Sequence, residues 1–213
     1  MKQKATKGAC ALCGKEYART GMTRHLPGCL EARRKAAGEG GRPCFLLLVK
    51  TRYTSPYWLY LQVSAAASLD QLDGFLRRIW LECCGHMSAF RLGWEEIPMR
   101  RKLSALMKPG LELEYDYDFG STTELRIVVL QEYEGIVIPR RPIELLARNQ
   151  PPEVVCHECG ERPAVEICTQ CAWEEGGWLC AECAPHHGCN EEDFDYFLPV
   201  VNSPRAGVCA YVG

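Results

Sequence analysis

The most constraining feature of this 213-residue chain is a run of regularly spaced cysteines near its carboxyl end. Three cysteine pairs are each separated by two residues, and a short segment containing His186, His187 and Cys189 follows the third pair. A Cys-x2-Cys pair forms a tight turn that directs both sulfurs at one metal ion, and structural Zn²⁺ takes four such ligands. The spacing therefore predicts two closed zinc sites within residues 151–198. The predicted ligands are Cys156, Cys159, Cys168, Cys171, Cys180, Cys183, Cys189 and one histidine.

This segment resembles cross-braced zinc modules of the B-box and ZZ kind. The resemblance implies that Cys156, Cys159, Cys180 and Cys183 hold one metal, and that Cys168, Cys171, Cys189 and a histidine hold the other. A sequential arrangement, with the first four ligands on one metal and the last four on the other, is the alternative. Spacing favours His186 as the histidine ligand, whereas the B-box resemblance favours His187.

Residues 153–195 carry eleven acidic side chains against one arginine, a local charge of −10. Such a surface repels phosphate groups, so we expect this module to bind a protein partner and not a nucleic acid.

A second set of metal ligands lies near the amino terminus, in the pattern Cys10-x2-Cys13-x11-His25-x3-Cys29. It resembles a ββα zinc finger in which Cys29 takes the place of the last histidine, and Tyr17 and Met22 stand where that fold has its small apolar core. We predict a CCHC zinc finger in residues 1–36 and a flexible linker in residues 37–43. With the two carboxy-terminal sites, this finger gives three Zn²⁺ ions per chain.

Residues 1–42 carry ten basic and three acidic side chains, a local charge of +7. The candidates for phosphate contacts with DNA or RNA are Arg19, Arg24, Arg33, Arg34 and Lys35. The alternative is that these side chains form the solvated surface of a small module that needs metal in order to fold.

The first ten residues, MKQKATKGAC, are basic and polar and contain no apolar run of the signal-peptide type. No other stretch is long enough to cross a bilayer, so we expect no membrane partner. These features predict a cytoplasmic protein, in which cysteine pairs are kept reduced and bind zinc.

The stretch LELEYDYDFGSTTELRIVVL, residues 111–130, alternates large apolar residues with acidic residues up to Asp118 and then resumes its alternation after Thr123. Alternation of period two predicts strands with one buried and one solvated face, here joined as an antiparallel hairpin. Further strands are predicted near residues 44–49, 58–63, 86–92 and 136–138, and a short apolar element is predicted at residues 143–146. One helix is predicted to begin after Ser68, where Ser68 and Gln71 form a capping box, and to end near Gly85, and a second helix is predicted at 97–108.

These elements predict an α+β fold: a small antiparallel sheet with packed helices in residues 44–150, flanked by two zinc modules. The tail, residues 199–213, is expected to pack back on the central domain together with Phe194, Tyr196, Phe197 and Cys209.

The apolar strand, the helix with FLRRIW, the segment GHMSAF and the segment YDYDFGSTTEL resemble a family of uncharacterised proteins. That family is named after the third open reading frame of plasmid pRiA4b. The resemblance implies an α+β fold without an established reaction, and some members are described as resolvase-like because they accompany mobile elements. In that family an aspartate, a tryptophan and a histidine often follow YDFG, where this chain has Ser121, Thr123 and Leu125.

No catalytic constellation stands out in the central domain. We interpret His86 as a helix-end cap or a satisfied core group, Asp118 as part of a local turn, and Cys44, Cys83 and Cys84 as buried thiols. The sequence therefore favours a non-enzymatic zinc-binding adaptor, with a basic finger for nucleic acid and an acidic module for protein. The alternative is a mobile-element-associated DNA-processing protein, resolvase-like or a nuclease, in which the acidic residues 112–118 hold a cation.

Overall fold

A computed structural model describes residues 6–38, 40–53, 55–174, 176–189 and 197–213. The chain begins with a hairpin of β1 (Lys7–Ala9) and β2 (Glu16–Ala18), followed by helix α1 (Arg19–Ala37). Gly38 ends the helix with a φ of +71°, a conformation that favours glycine. Pro27 lies inside α1 and lacks the backbone donor of a helical residue, so packing has to supply much of this helix's stability.

The central element is a sheet of seven antiparallel strands. The strands are β3 (Arg42–Thr51), β4 (Trp58–Ser64), β5 (Ser88–Leu92), β6 (Glu95–Ile97), β7 (Glu112–Tyr117), β8 (Thr123–Gly135) and β9 (Ile143–Arg148). Their order across the sheet is β6-β5-β7-β8-β3-β4-β9. Helix α2 (Leu69–Leu76) connects β4 to β5 through a single π-helical turn, Arg77–Leu81.

One face of the sheet is covered by α2. The capping box is present, because Ser68 Oγ accepts from the Gln71 N–H and Gln71 Oε1 accepts from the Ser68 N–H. Leu69, Leu72 and Leu76 recur at helical spacing and pack on the apolar side chains of β3, β4, β7 and β8. This layer is the main core of the molecule.

The other face is covered by α1, which was predicted to belong to a separate finger. Met22, Leu26 and Leu30 form one buried stripe against sheet residues that include Leu46 and Trp58. The Tyr60 hydroxyl of β4 donates a 2.6 Å hydrogen bond to the Arg19 carbonyl. Because α1 and the sheet share one apolar core, the amino-terminal module is a layer of the fold.

The carboxy-terminal module contains three short strands in the order β11-β10-β12. They are β10 (Glu166–Cys168), β11 (Trp178–Leu179) and β12 (Phe197–Pro199). The tail then returns to the central domain, where Asn202 and Asn149 exchange two hydrogen bonds of 2.7 and 2.8 Å. Ser203 Oγ donates a 2.6 Å hydrogen bond to the Trp80 carbonyl. Phe194 and Tyr196 lie outside the described residues.

The observed elements are a mixture of helices and antiparallel strands, an α+β architecture. The predicted helix at 97–108 is wrong, because residues 98–111 form turns around one 3-10 segment, Leu103–Ala105. The predicted strand at 136–138 is also wrong: β8 ends at Gly135, and Ile138 only bridges to Arg141.

Among the described helices, none combines the length and the apolarity needed to span a membrane.

Candidate metal centres

The amino-terminal group brings together Cys10, Cys13, His25 and Cys29, with all four ligand atoms within 4.8 Å of one another. The turn after β1 places the first two, because the Gly14 N–H donates to the Cys10 carbonyl at 2.8 Å. His25 and Cys29 are one helical turn apart in α1. His25 Nε2 lies 3.2 Å from Cys13 Sγ and 3.1 Å from Cys29 Sγ, so this nitrogen faces the sulfurs. The four atoms fit one tetrahedral ion.

The pKa values of two thiols in this group are shifted in opposite directions. A hydrogen bond from the backbone N–H of Lys15 lowers the pKa of Cys13, whereas burial raises the pKa of Cys29 to about 12. Cys13 and Cys29 therefore differ in how readily each forms a thiolate in the bare protein. A bound dication would favour the thiolate at every sulfur, so metal affinity here must fall as the pH falls. The Tyr17 ring stacks on the His25 ring at 4.4 Å and fixes its orientation.

Two further groups lie in the carboxy-terminal module, and they alternate along the chain. One contains Cys156, Cys159, Cys180 and Cys183, and the other contains Cys168, Cys171, His187 and Cys189. This is the cross-braced grouping and not the sequential one. Each group joins distant segments of the module, so a metal in either site would hold the module together.

Backbone N–H groups point at the sulfurs of both groups. Hydrogen bonds from the N–H groups of Arg162 and Glu161 lower the pKa of Cys159 to about 6. Burial opposes the thiolate of Cys168, but the N–H groups of Cys171 and Gln170 lower its pKa. These contacts stabilise thiolates before any metal binds.

The structure places His187 in the second of these groups. His187 Nε2 lies 3.3 Å from Cys171 Sγ, and its Nδ1 lies 2.7 Å from Glu158 Oε1. A carboxylate on the second ring nitrogen is the usual way in which a metal-binding imidazole is oriented. His186 is exposed and lines a surface depression with Arg162 and Glu182.

A fourth group, which the sequence analysis missed, contains Cys83, Cys84, His86 and Cys209. The interpretation of Cys83 and Cys84 as buried thiols is wrong, because Cys84 is exposed and Cys83 is half-buried. Cys44 is buried, as expected. Spacing alone gives no indication of this group, since Cys209 is far along the chain. The one sequence signal for it is the set of cysteines that remains after the Cys-x2-Cys pairs have been assigned.

The acidic residues of β7 and the following turn all contact arginines. On the solvated side of β7 the arginines come from the neighbouring strands and the β3–β4 connection, whereas the partner of Asp118 comes from the tail. The pairs are Glu112 with Arg126 at 3.1 Å, Glu114 with Arg52 at 3.7 Å and Arg126 at 3.6 Å, Asp116 with Arg91 at 2.5 Å, and Asp118 with Arg205 at 2.6 Å. The alternation of acidic residues is therefore matched by cross-strand charge pairing.

The five predicted phosphate-binding residues have different surroundings. Arg33 donates two hydrogen bonds from Nη1 to the Glu144 carboxylate, at 2.8 and 2.9 Å, and so ties α1 to β9. Lys35 pairs with Glu31 on the helix surface at 2.7 Å. Arg19 is half-buried, and Arg24 and Arg34 are exposed. The cationic groups accessible to a large ligand are thus those of Arg24, Arg34 and Lys35.

No protein-family model and no curated protein matches the chain. Among solved structures, the crystal structure of the protein of unknown function MM3350 from Methanosarcina mazei Go1 is similar to it. The sequence identity is 13%, the match covers 57% of this chain and 76% of that one, and the TM-score is 0.42. A similarity of this size carries no inference about function.

Proposed function

We propose that this protein is a non-enzymatic, zinc-dependent adaptor. The observation that carries the proposal is that each of the three predicted metal groups offers four Cys or His ligands. A tetrahedral Zn²⁺ ion with four protein ligands has no open position for water or substrate, so its role is to hold the fold. The binding functions then belong to the surfaces that these metals support.

We assign nucleic-acid contact to the outer face of α1. Its inner face is buried against the sheet, so any ligand must approach the exposed side, where Arg24, Arg34 and Lys35 lie. Contacts from such residues to phosphates are independent of sequence and weaken with salt, because binding releases condensed counterions. DNA and RNA are both candidates.

The test is a salt titration of binding to mixed-sequence DNA and RNA oligonucleotides, measured by fluorescence anisotropy. The variant is Arg24→Ala with Arg34→Ala, and the charge-matched control is Arg100→Ala with Arg101→Ala. The control pair is exposed beside α2, on the opposite side of the sheet. We expect the α1 variant alone to weaken binding and to reduce the log–log salt slope by about 1 for every phosphate that it no longer binds. Equal effects of both variants would disprove the assignment.

Deleting the whole amino-terminal module is not an equivalent test. The deletion would uncover Leu46, Leu48, Trp58 and Tyr60, which are buried beneath α1. A large apolar patch of this kind promotes aggregation, so loss of binding would not identify the contact residues. Point variants on the outer face leave this core intact.

We assign protein binding to the acidic carboxy-terminal module. Glu153, Glu161 and Glu182 are exposed on it, and so are Val155 and Val165. A basic protein surface with a small apolar contact is the complementary partner. The test is affinity for a lysine-rich peptide before and after Glu153→Lys with Glu161→Lys. The reversal should abolish binding, and unchanged affinity would argue against this surface.

The resemblance to the plasmid family suggests the alternative of a DNA-processing enzyme. A metal-dependent nuclease needs clustered carboxylates for its cations, whereas Asp116 and Asp118 are each paired with an arginine. We expect no cleavage of supercoiled plasmid in the presence of Mg²⁺ or Mn²⁺. Cleavage that disappears in Asp116→Asn would favour the enzyme.

A further inference from the structure

Three potential ligands lie at the end of the π-helical turn, and a fourth comes from the tail. Cys209 Sγ lies 3.5 Å from Cys84 Sγ and 3.4 Å from His86 Nε2. With Cys83 Sγ, these atoms all lie within 4.8 Å of one another. The same limit of 4.8 Å holds for the ligand atoms of the three groups described above.

The backbone around this group is shaped to bring the side chains together. Gly85 has a φ of +75°, which turns the chain between Cys84 and His86, and its N–H donates a 2.6 Å hydrogen bond to Glu82 Oε1. Cys209 has a φ of +55°, an uncommon conformation for a residue with a side chain. Two turns, each with a residue of positive φ, are therefore in contact, although they are about 120 positions apart in the chain.

The surroundings of the group are those of a metal site. His86 Nδ1 lies 3.6 Å from Asp118 Oδ1, which leaves Nε2 directed at the sulfurs. Arg205 Nη2 donates to Asp118 Oδ2 at 2.6 Å and lies 3.5 Å from Cys83 Sγ. A carboxylate near the second nitrogen of a ligand histidine, and a cation that donates to a ligand sulfur, are typical of the surroundings of zinc ligands.

We propose that Cys83, Cys84, His86 and Cys209 bind a fourth Zn²⁺ ion. Three sulfur ligands and one imidazole are the Cys₃His set of structural zinc sites, and thiolates select soft or borderline cations over Mg²⁺ or Ca²⁺. On binding, three thiols release their protons to solvent, and three thiolates with Zn²⁺ carry a net charge of −1. The guanidinium of Arg205, which is already paired with Asp118, also donates to the Cys83 sulfur.

A zinc ion at this site would form a metal clasp, a link that holds the tail to the connection between α2 and β5. Cys209 is the ligand that the tail contributes, and the other three ligands belong to the connection between α2 and β5. The clasp would supplement the hydrogen bond from Ser203 Oγ to the Trp80 carbonyl. Because the tail follows the carboxy-terminal module in the chain, the clasp would also restrict where that module can lie.

The wild-type chain offers a test that needs no variant. The four groups contain thirteen of the fourteen cysteines, and the remaining one, Cys44, is buried. Protein purified with Zn²⁺ under reducing conditions, and then freed of thiols and weakly bound metal, is analysed for zinc and for thiols that react rapidly with Ellman's reagent. The proposal predicts four zinc ions per chain and no rapidly reacting thiol.

Two outcomes would overturn the proposal. One is a content of three zinc ions per chain together with rapid reaction of the exposed Cys84 and Cys209 thiols with Ellman's reagent. The other is three zinc ions and an intact mass lower by the two hydrogens of a Cys84–Cys209 disulfide. Either result would leave the three other metal groups, and the adaptor proposal built on them, unaffected.

A double variant tests whether the fourth zinc ion is bound by this group of residues. Cys84→Ser with Cys209→Ser changes two exposed side chains and should reduce the zinc content from four to three ions per chain. Hydrogen exchange should then rise in residues 203–211 and stay unchanged in β3 and β4. The control, Cys44→Ala, removes a thiol outside all four groups and should keep four ions. Retention of four ions by the double variant would also disprove the site.

Discussion

Arg205 and Asp118 form an ion pair in which the arginine side chain is fully buried, with 2.6 Å between Nη2 and Oδ2. Arg205 belongs to the tail, and Asp118 belongs to the turn after β7. The same guanidinium donates from Nη1 to the Ser121 carbonyl and to Thr123 Oγ1, both at 3.1 Å. The hydrogen bond from Arg205 lowers the pKa of Asp118 to about 2. The pair thus joins the tail to the turn between β7 and β8.

We predict that Asp118→Asn destabilises the central domain strongly. Asparagine tolerates the positive φ of 64° at this position, so the change removes the charge and keeps the turn. The buried guanidinium of Arg205 would be left without its anion, a loss that typically costs about 3–5 kcal/mol. Urea unfolding at constant Zn²⁺, followed by the fluorescence of the buried Trp58 and Trp80, measures the change.

The matched control for this prediction is Asp116→Asn. Its partner, Arg91, has a side chain that is 38% exposed and can be solvated when the carboxylate is removed. We expect a cost of about 0–1 kcal/mol, as for exposed ion pairs. Similar losses of unfolding free energy in the two variants would show that the buried ion pair of Arg205 stabilises the protein no more than the exposed pair of Arg91.

The docking of the amino-terminal hairpin depends on Gly8. A Cβ atom at this position would overlap the carbonyl of Arg148 and the ring of Trp58. Gly8→Ala should therefore push β1 away from β9 and weaken the backbone hydrogen bond from Gln150 N–H to the Lys7 carbonyl. We expect faster hydrogen exchange in β1, α1 and β9, and a lower melting temperature.

Gly28→Ala is the control for this substitution. Gly28 is an exposed glycine inside α1, and nothing lies within 4 Å of a Cβ placed there. Alanine has the higher helix propensity, so the change should stabilise the protein by about 0.5–1 kcal/mol. A stabilising effect of Gly8→Ala as well would mean that the hairpin does not pack closely on the sheet.

The central strands and α2 could be predicted from the sequence because their patterns are local. The alternation in residues 111–118 and the capping box at Ser68 each depend on neighbours within a few positions. The placement of α1 could not be predicted in this way. Met22 and Leu26 have the spacing of an internal finger core, and only the three-dimensional structure shows that they pack on Leu46 and Tyr60.

The metal ligands, too, include some that local spacing predicts and others that only tertiary packing brings together. Ligands in Cys-x2-Cys pairs are recognisable because the spacing itself places two sulfurs on one ion. The choice between His186 and His187 depends on a 3-10 turn, Ala184–His186, that directs the second histidine inward. Cys209 gives no local indication at all, because its partners are brought to it by the packing of the tail.

Removal of metal should affect the carboxy-terminal module and the central core differently. The buried residues of the carboxy-terminal cluster are Cys156, Cys168, Leu179, Cys180 and Ala184, and three of these five are predicted zinc ligands. This module has too little apolar core to stay folded without metal. The core between the sheet and α2 contains none of the ligands in the three predicted groups, so it should survive.

Digestion with a glutamate-specific protease provides the measurement, because glutamates occur in both regions. After treatment with a strong chelator, we expect rapid cleavage at Glu158, Glu161 and Glu182, while Glu112 and Glu124 in paired strands remain protected. Added Zn²⁺ should restore resistance at the three module sites, and added Mg²⁺ should not, because thiolate ligands discriminate against hard cations. Equal rates of cleavage in both regions would mean that metal holds the whole molecule together, and persistent resistance of the module would mean that its fold does not depend on metal.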